Sequence, residues 1–149
     1  MTEKIYISWS EFHRHVKDLC KKIKESGEYD KIVAISRGGL IPAAIIAYEL
    51  NIRNTETINF SSYDGNYERR RDEEIEISGH IGTVNEKTLI IDDLSDSGRT
   101  YEILRRVYPK AKFITVYAKE KGAPQVDIYE KTMPDEWLVF PWDVEEDEE

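Results

Sequence analysis

Asp92 and Asp93 stand side by side after a short apolar run, Leu89-Ile90-Ile91, and lead directly into Leu94-Ser95-Asp96-Ser97-Gly98-Arg99-Thr100. An apolar run without polar alternation suits a strand covered on both faces, and the carboxyl end of such a strand is where open α/β sheets bind ligands. Adjacent acids repel unless hydroxyls or cations satisfy them. Neighbouring strand residues also point to opposite faces, so the two acids need not share a partner. The chemistry on offer is recognition of sugar hydroxyls by one carboxylate and of a metal ion by the other. Ser95, Ser97, Gly98 and Thr100 then supply small side chains and open backbone N–H groups at a helix start, which suits a phosphate. A competing reading makes the segment an acidic turn, with Ser97 or Asp96 as N-cap of a helix running through Ile103, Leu104 and Val107.

Other groups extend the set. Ser36-Arg37-Gly38-Gly39 follows a second apolar strand and opens toward a helix. There, backbone N–H groups and one guanidinium converge where an anion can approach closely, although two glycines also serve simply to allow a sharp turn. Lys119 closes another strand, as a solvated cation or as a donor to a ligand. Trp137 offers a stacking surface, and Trp142 suits a core or subunit contact. His13, His15 and His80 have no acid or nucleophile placed with them in sequence, so structural or surface roles fit them best. Neither GxxxxGK[ST] nor GxGxxG occurs, which argues against a P-loop NTPase and a dinucleotide enzyme.

The elements that must hold these groups alternate in type. Ser8-Trp9-Ser10-Glu11 has capping-box spacing, and Phe12, Val16, Leu19 and Ile23 then recur at helical intervals as far as Gly27. Lys31 to Ser36 predicts a buried strand, and Ile41 to Leu50 a helix with Pro42 in its first turn. Glu56 to Ser61 predicts a strand. The polar stretch from Ser62 to about Glu74, which holds Arg69-Arg70-Arg71, predicts a mobile loop. Ile75, Ile77 and Ile81 suggest an edge strand returning from it. Leu89 to Asp92 is the central strand, Gly98 to Tyr108 a helix and Lys112 to Ala118 the next strand. The aromatic end, about 120–142, predicts a small hood over the site. Together these imply an α/β fold with a mostly parallel central sheet and helices on both faces.

Composition sets the frame. At 149 residues, 40% hydrophobic and 34% charged, the chain suits one domain, 1–142, with an acidic tail at 143–149. The net charge is −9, of which six acids in that tail carry −6, leaving −3 on the rest. An acidic protein is a poor non-specific nucleic-acid binder. The single cysteine, Cys20, excludes an internal disulfide and fits a reducing, cytoplasmic setting. No apolar run approaches a membrane span, and the first residues do not look like a signal peptide.

The run Ile90-Ile91-Asp92-Asp93-Leu94-Ser95-Asp96-Ser97-Gly98-Arg99-Thr100 resembles the phosphoribosyl-diphosphate (PRPP) motif of the type I phosphoribosyltransferases. Further segments are similar to the bacterial xanthine-guanine branch: Ala34 to Pro42, Ser61-Ser62-Tyr63-Asp64, Tyr108-Pro109-Lys110-Ala111, Tyr117-Ala118-Lys119 and Pro141-Trp142-Asp143. Departures are Ser97 where Thr is usual, Arg99 where Gly is common, and a chain that stops soon after Asp143.

This resemblance implies transfer of a 5-phosphoribosyl group from PRPP to xanthine, guanine or hypoxanthine, with Mg²⁺ as cofactor and a homodimer or homotetramer as the assembly. It implies that Arg37 and Gly38 bind pyrophosphate and that Arg69 closes over it. Asp92 and Asp93 would take ribose and metal, with Asp93 the metal candidate and the assignment between the two left open. Asp96, Ser97, Gly98, Arg99 and Thr100 would wrap the 5-phosphate, while Asp96 also faces purine N7. Lys119 would donate to the 6-oxo group, Trp137 would stack on the base, and the Leu138 backbone would read its 2-position. A PRPP-sensing, nucleic-acid-binding regulator is the alternative, favoured only by Arg69-Arg70-Arg71. A PRPP synthetase-like kinase is disfavoured by length and by the missing nucleotide site.

Overall fold

A computed structural model describes residues 3–62, 75–79 and 81–144. Of the predicted loop, Ser62 instead ends a strand, and residues 63–74, with Arg69, lie outside the described residues, as do His80 and the tail from 145. The chain runs β1 (Lys4–Tyr6), α1 (Trp9–Ser26), β2 (Lys31–Ser36), α2 (Leu40–Leu50), β3 (Thr55–Ser62) and β4 (Ile75–Ser78). It continues with β5 (Thr88–Ser95), α3 (Arg99–Val107), β6 (Lys112–Lys119), a 3-10 turn (Ala123–Gln125), β7 (Ile128–Met133) and β8 (Trp137–Val139).

Six strands form the central sheet in the order β4-β3-β2-β5-β6-β7, and all pairs are parallel except β3 with β4. The alternation of strand side chains divides the core in two. Ile32, Ala34, Leu89 and Ile91 face α1 and α2, whereas Val33, Ile35 and Ile90 face α3 and its Tyr101, Ile103 and Leu104. Each large apolar side chain buried in this way contributes about 1.5–3 kcal/mol. The capping box forms as its spacing predicts: Glu11 N–H donates to Ser8 Oγ at 3.1 Å, and Ser8 N–H to the Glu11 carboxylate at 3.0 Å. Phe12, Val16, Leu19, Cys20 and Ile23 are the buried face of α1.

The sheet departs from the sequence expectation at two places. β5 continues past Asp92 to Ser95 because β6 keeps pairing with it, Leu94 with Tyr117 and Ser95 with Ala118. Within the segment expected to be a hood, Ile128–Met133 is an edge strand of the central sheet, parallel to β6. What stands apart is β8, which pairs in parallel with β1 as a separate two-stranded sheet. Behind it, Phe140 stacks on Trp142 at 4.7 Å, and the Trp142 ring meets Phe12 edge-on at 4.8 Å. His15 has the structural role anticipated for it, with Nδ1 2.8 Å from the Tyr117 hydroxyl. Burial lowers its pKa. Cys20 is buried, and desolvation pushes its thiol up to about 12.

Candidate active site

β2 and β5 lie side by side only as far as Ala34 and Ile91. Beyond that point β2 stays with β3, through Ile35 with Ile58 and Ser36 with Asn59, while β5 stays with β6. The connections from these two strands also run in opposite directions across the sheet, so a crevice opens at their carboxyl ends. A cleft of about 420 Å³ occupies it, with Arg37 and Gly38 on one wall and the stretch Asp92 to Tyr101 on the other. Phe60 and Phe140 also line it.

The Arg37 loop is fixed at both ends. Ser36 Oγ donates to Asn59 Oδ1, Gly39 N–H donates to the Ile35 carbonyl at 2.8 Å, and the Ser36–Arg37 peptide is cis. Glycine is required twice here by close approach. A Cβ on Gly39 would lie 2.2 Å from the Ile91 carbonyl oxygen, and one on Gly38 would lie 2.7 Å from an Asp93 carboxylate oxygen. The loop therefore rests directly on β5, with Gly38 against the acid.

Asp92 and Asp93 are held close together, and Asp93 N–H donates to Asp92 Oδ1 at 2.8 Å. Burial raises the pKa of both carboxyls. The Asp93 charge adds to the effect at Asp92, and the Asp143 charge adds at Asp93. Beneath them the buried Tyr101 hydroxyl sits between two strands, 2.6 Å from the Ile114 carbonyl oxygen and 3.1 Å from that of Ile90. Burial, together with the Asp92 and Asp93 charges, pushes its pKa well up.

The loop that leads into α3 differs from the capping alternative. Gly98, at φ 88, is the N-cap of α3 and offers no side-chain hydrogen bond. Ser97 Oγ accepts Arg99 N–H at 3.2 Å, and Arg99 pairs with Glu102 at 3.3 Å. Asp96 does not cap the helix. Its carboxylate lies 3.3 Å from Lys119 Nζ, so the side chain is turned away from the helix axis toward the end of β6.

Asp96 and Lys119 share a second cleft of about 410 Å³ with Thr132, Pro134 and Asp135. Asp96 borders both clefts and joins them. Arg37, Gly38, Asp92, Asp93, Asp96, Ser97, Gly98, Arg99 and Thr100 thus line the first cleft together, and Lys119 lines the second. Trp137 and Leu138 line neither cleft. Trp137 is 65% exposed on β8, and Leu138 is buried against the core. Sequence reasoning missed Tyr101, which carries only a core-helix signal, and Asp135, which has no pattern around it. Asp143 was noted within a motif but not as a charge acting on Asp93.

A phosphoribosyl transferase domain matches residues 6–149. Two curated relatives, the xanthine-guanine phosphoribosyltransferases of Ruegeria sp. and Desulfotalea psychrophila, are 42% and 44% identical to this chain. Each alignment covers 93% of the chain, and 85% and 86% of the respective relatives. A solved purine phosphoribosyltransferase from Pyrococcus horikoshii superposes with a TM-score of 0.78 at 27% identity, over 98% of this chain and 97% of that one. With a strand-end acid pair, a glycine loop resting on it and an open helix start in one crevice, the chain belongs to the phosphoribosyltransferase family.

Proposed function

We propose that the chain transfers the 5-phosphoribosyl group of PRPP to N9 of a 6-oxo purine and releases pyrophosphate. The observation that carries this reading is Asp96, which joins the sugar-phosphate cleft to the Lys119 cleft. In the reaction the ribose C1–O bond to pyrophosphate breaks and a C1–N9 bond forms, through a sugar carrying positive charge as in glycoside chemistry. No protein nucleophile is needed, and the work is to position the two reactants and exclude water.

Arg37 and the Gly38 backbone bind the pyrophosphate of PRPP, with Arg69 as the further cation assigned to it. Asp92 takes the ribose hydroxyls. Ser97, Gly98, Arg99 and Thr100 hold the 5-phosphate at the open start of α3. Asp96 accepts a hydrogen bond or proton from N7 as the N9 bond forms. Lys119 donates to the 6-oxo oxygen, which disfavours a 6-amino purine. Trp137 and Leu138 line neither cleft, but they follow Asp135 of the Lys119 cleft by two and three residues, which supports Trp137 stacking on a bound base and the Leu138 backbone reading position 2.

The acid pair also fits Mg²⁺, with Asp93 as its ligand. Two carboxylates with raised pKa values crowd one strand end, and both line the cleft that the Arg37 loop closes on its other side. Mg²⁺ is commonly held in this way, by one or two carboxylates plus substrate oxygens and water. When bound it would neutralise the pyrophosphate oxygens as they leave.

The relatives' names favour xanthine and guanine and lend no support to the nucleic-acid-binding regulator. Among the described residues no helix is long and apolar enough to cross a membrane, and the unpaired Cys20 supports a cytoplasmic setting. Leu40 and Tyr48 are exposed on the apolar helix α2, which supports a homodimer or homotetramer, to be measured by sedimentation. The activity is tested by incubating the protein with PRPP, Mg²⁺ and each purine and separating the nucleotides. Products from xanthine, guanine or hypoxanthine but not adenine are expected, and no nucleotide from any 6-oxo purine would refute the reading.

A further inference from the structure

Lys119 stands between two carboxylates. Its ammonium is 3.3 Å from Asp96 and 3.8 Å from Asp135, and its side chain is only 10% exposed. Asp96 has a second duty, because the proposed reaction turns its carboxylate toward the purine. A cation this enclosed loses much of its hydration and needs a remaining partner when Asp96 is engaged.

Asp135 is placed to be that partner by the way its turn is fastened. Glu136 N–H donates to the Pro134 carbonyl at 2.8 Å, and the Glu136 carboxylate accepts Glu3 N–H at 3.1 Å. Trp137 N–H then donates to the Glu3 carbonyl at 3.2 Å, where β8 joins β1. On the other side Lys119 is in register with Met133, and its carbonyl accepts Gly122 N–H at 3.0 Å. Lys119 is therefore held in the central sheet and the Asp135 turn by the β1–β8 pair, although the Asp135 side chain itself is 90% exposed.

We infer that Asp135 is a positioning residue: it holds the Lys119 ammonium in the second cleft for the 6-oxo oxygen once the purine has taken Asp96. This inference rests on the transferase reading and deepens it. Asp135 touches no reacting atom. Its contribution is to binding of the base, present in the ground state and transition state alike, so it affects the KM for the purine more than kcat. An exposed pair at this distance corresponds to roughly a two- to fivefold effect.

The test is steady-state kinetics of the full chain, with guanine and PRPP varied in turn, for the wild type, Asp135→Asn and Asp135→Glu. The expected result is a two- to fivefold higher guanine KM in Asp135→Asn, with unchanged PRPP KM and melting temperature, and recovery in Asp135→Glu. An unchanged guanine KM overturns the inference. So does a parallel rise in both KM values with a lower melting temperature, which would mark Asp135 as merely structural. If the wild type makes no nucleotide, the transferase reading falls and the inference with it. A flat Asp135→Asn result in an active enzyme removes the inference alone.

Discussion

Replacing Gly38 and Gly39 separately by alanine tests how the Arg37 loop and the acid pair are fitted together. At Gly39 the new Cβ meets only backbone, 2.2 Å from the Ile91 carbonyl oxygen and 2.8 Å from that of Ile35. Neither strand has room to give, so overpacking costs at least the usual 1–3 kcal/mol, taken as an order of magnitude. At Gly38 it meets the Asp93 carboxyl, 2.7 Å from one oxygen and 2.8 Å from the other and from the carbon between them. That group is the end of a side chain, and a movement of about 0.7 Å restores ordinary contact. Leaving its rotamer costs about 0.5–1.5 kcal/mol, which for a domain of this size lowers the melting temperature by roughly 1–6 °C. The catalytic cost is larger, because misplacement of a reacting group by about 1 Å costs on the order of 100-fold. Gly38→Ala should therefore remain folded, and kcat/KM should fall by about 10- to 100-fold. Gly39→Ala should lose stability first. Melting curves and nucleotide formation on both variants measure this. Wild-type kcat/KM in Gly38→Ala, or a loss of stability equal to that of Gly39→Ala, would refute the reasoning.

Further outcomes follow from the site. Asp96→Asn should lower kcat far more than the melting temperature, since Gly98 rather than Asp96 caps α3. Comparable losses in both would return Asp96 to a structural role. Asp92→Asn keeps the acceptor for Asp93 N–H but removes a charge whose burial raises its pKa. In the wild type the unfolded chain releases its proton first, near the ordinary value of 3.8, so the contribution to stability present below that value is lost as pH rises through the higher folded value. Without Mg²⁺, Asp92→Asn should melt higher than wild type at neutral pH and show a flatter pH dependence, while activity falls; a lower melting temperature at every pH would contradict this. Tyr101→Phe leaves two strand carbonyls without the buried hydroxyl and should cost about 1–3 kcal/mol in denaturant unfolding. An unchanged midpoint would show that the hydroxyl does not tie the strands.

Much of this architecture is legible in short patterns. Ser8-x-x-Glu11 fixed the start of α1, and Ile32 to Ile35 and Leu89 to Ile91 announced strands covered on both faces. Glycine and hydroxyl residues marked the strand-to-helix step from β5 to α3. What sequence could not supply was long-range pairing. Nothing local in Lys4–Tyr6 says that it pairs with Trp137–Val139, or in Ile128–Met133 that it extends the main sheet and not a hood. Gly98 caps α3 while Asp96 pairs with Lys119, a contact between residues 23 positions apart. Asp135 needed the same fold-level information before its carboxylate had a meaning.

In the proposed reaction one site joins PRPP to a purine through Asp96. Pyrophosphate released per nucleotide formed, measured with Mg²⁺, PRPP and guanine together and then with guanine omitted, tests it most directly. One pyrophosphate per GMP is expected, and almost none without guanine. Absence of release, or equal release from PRPP with no purine present, would contradict it.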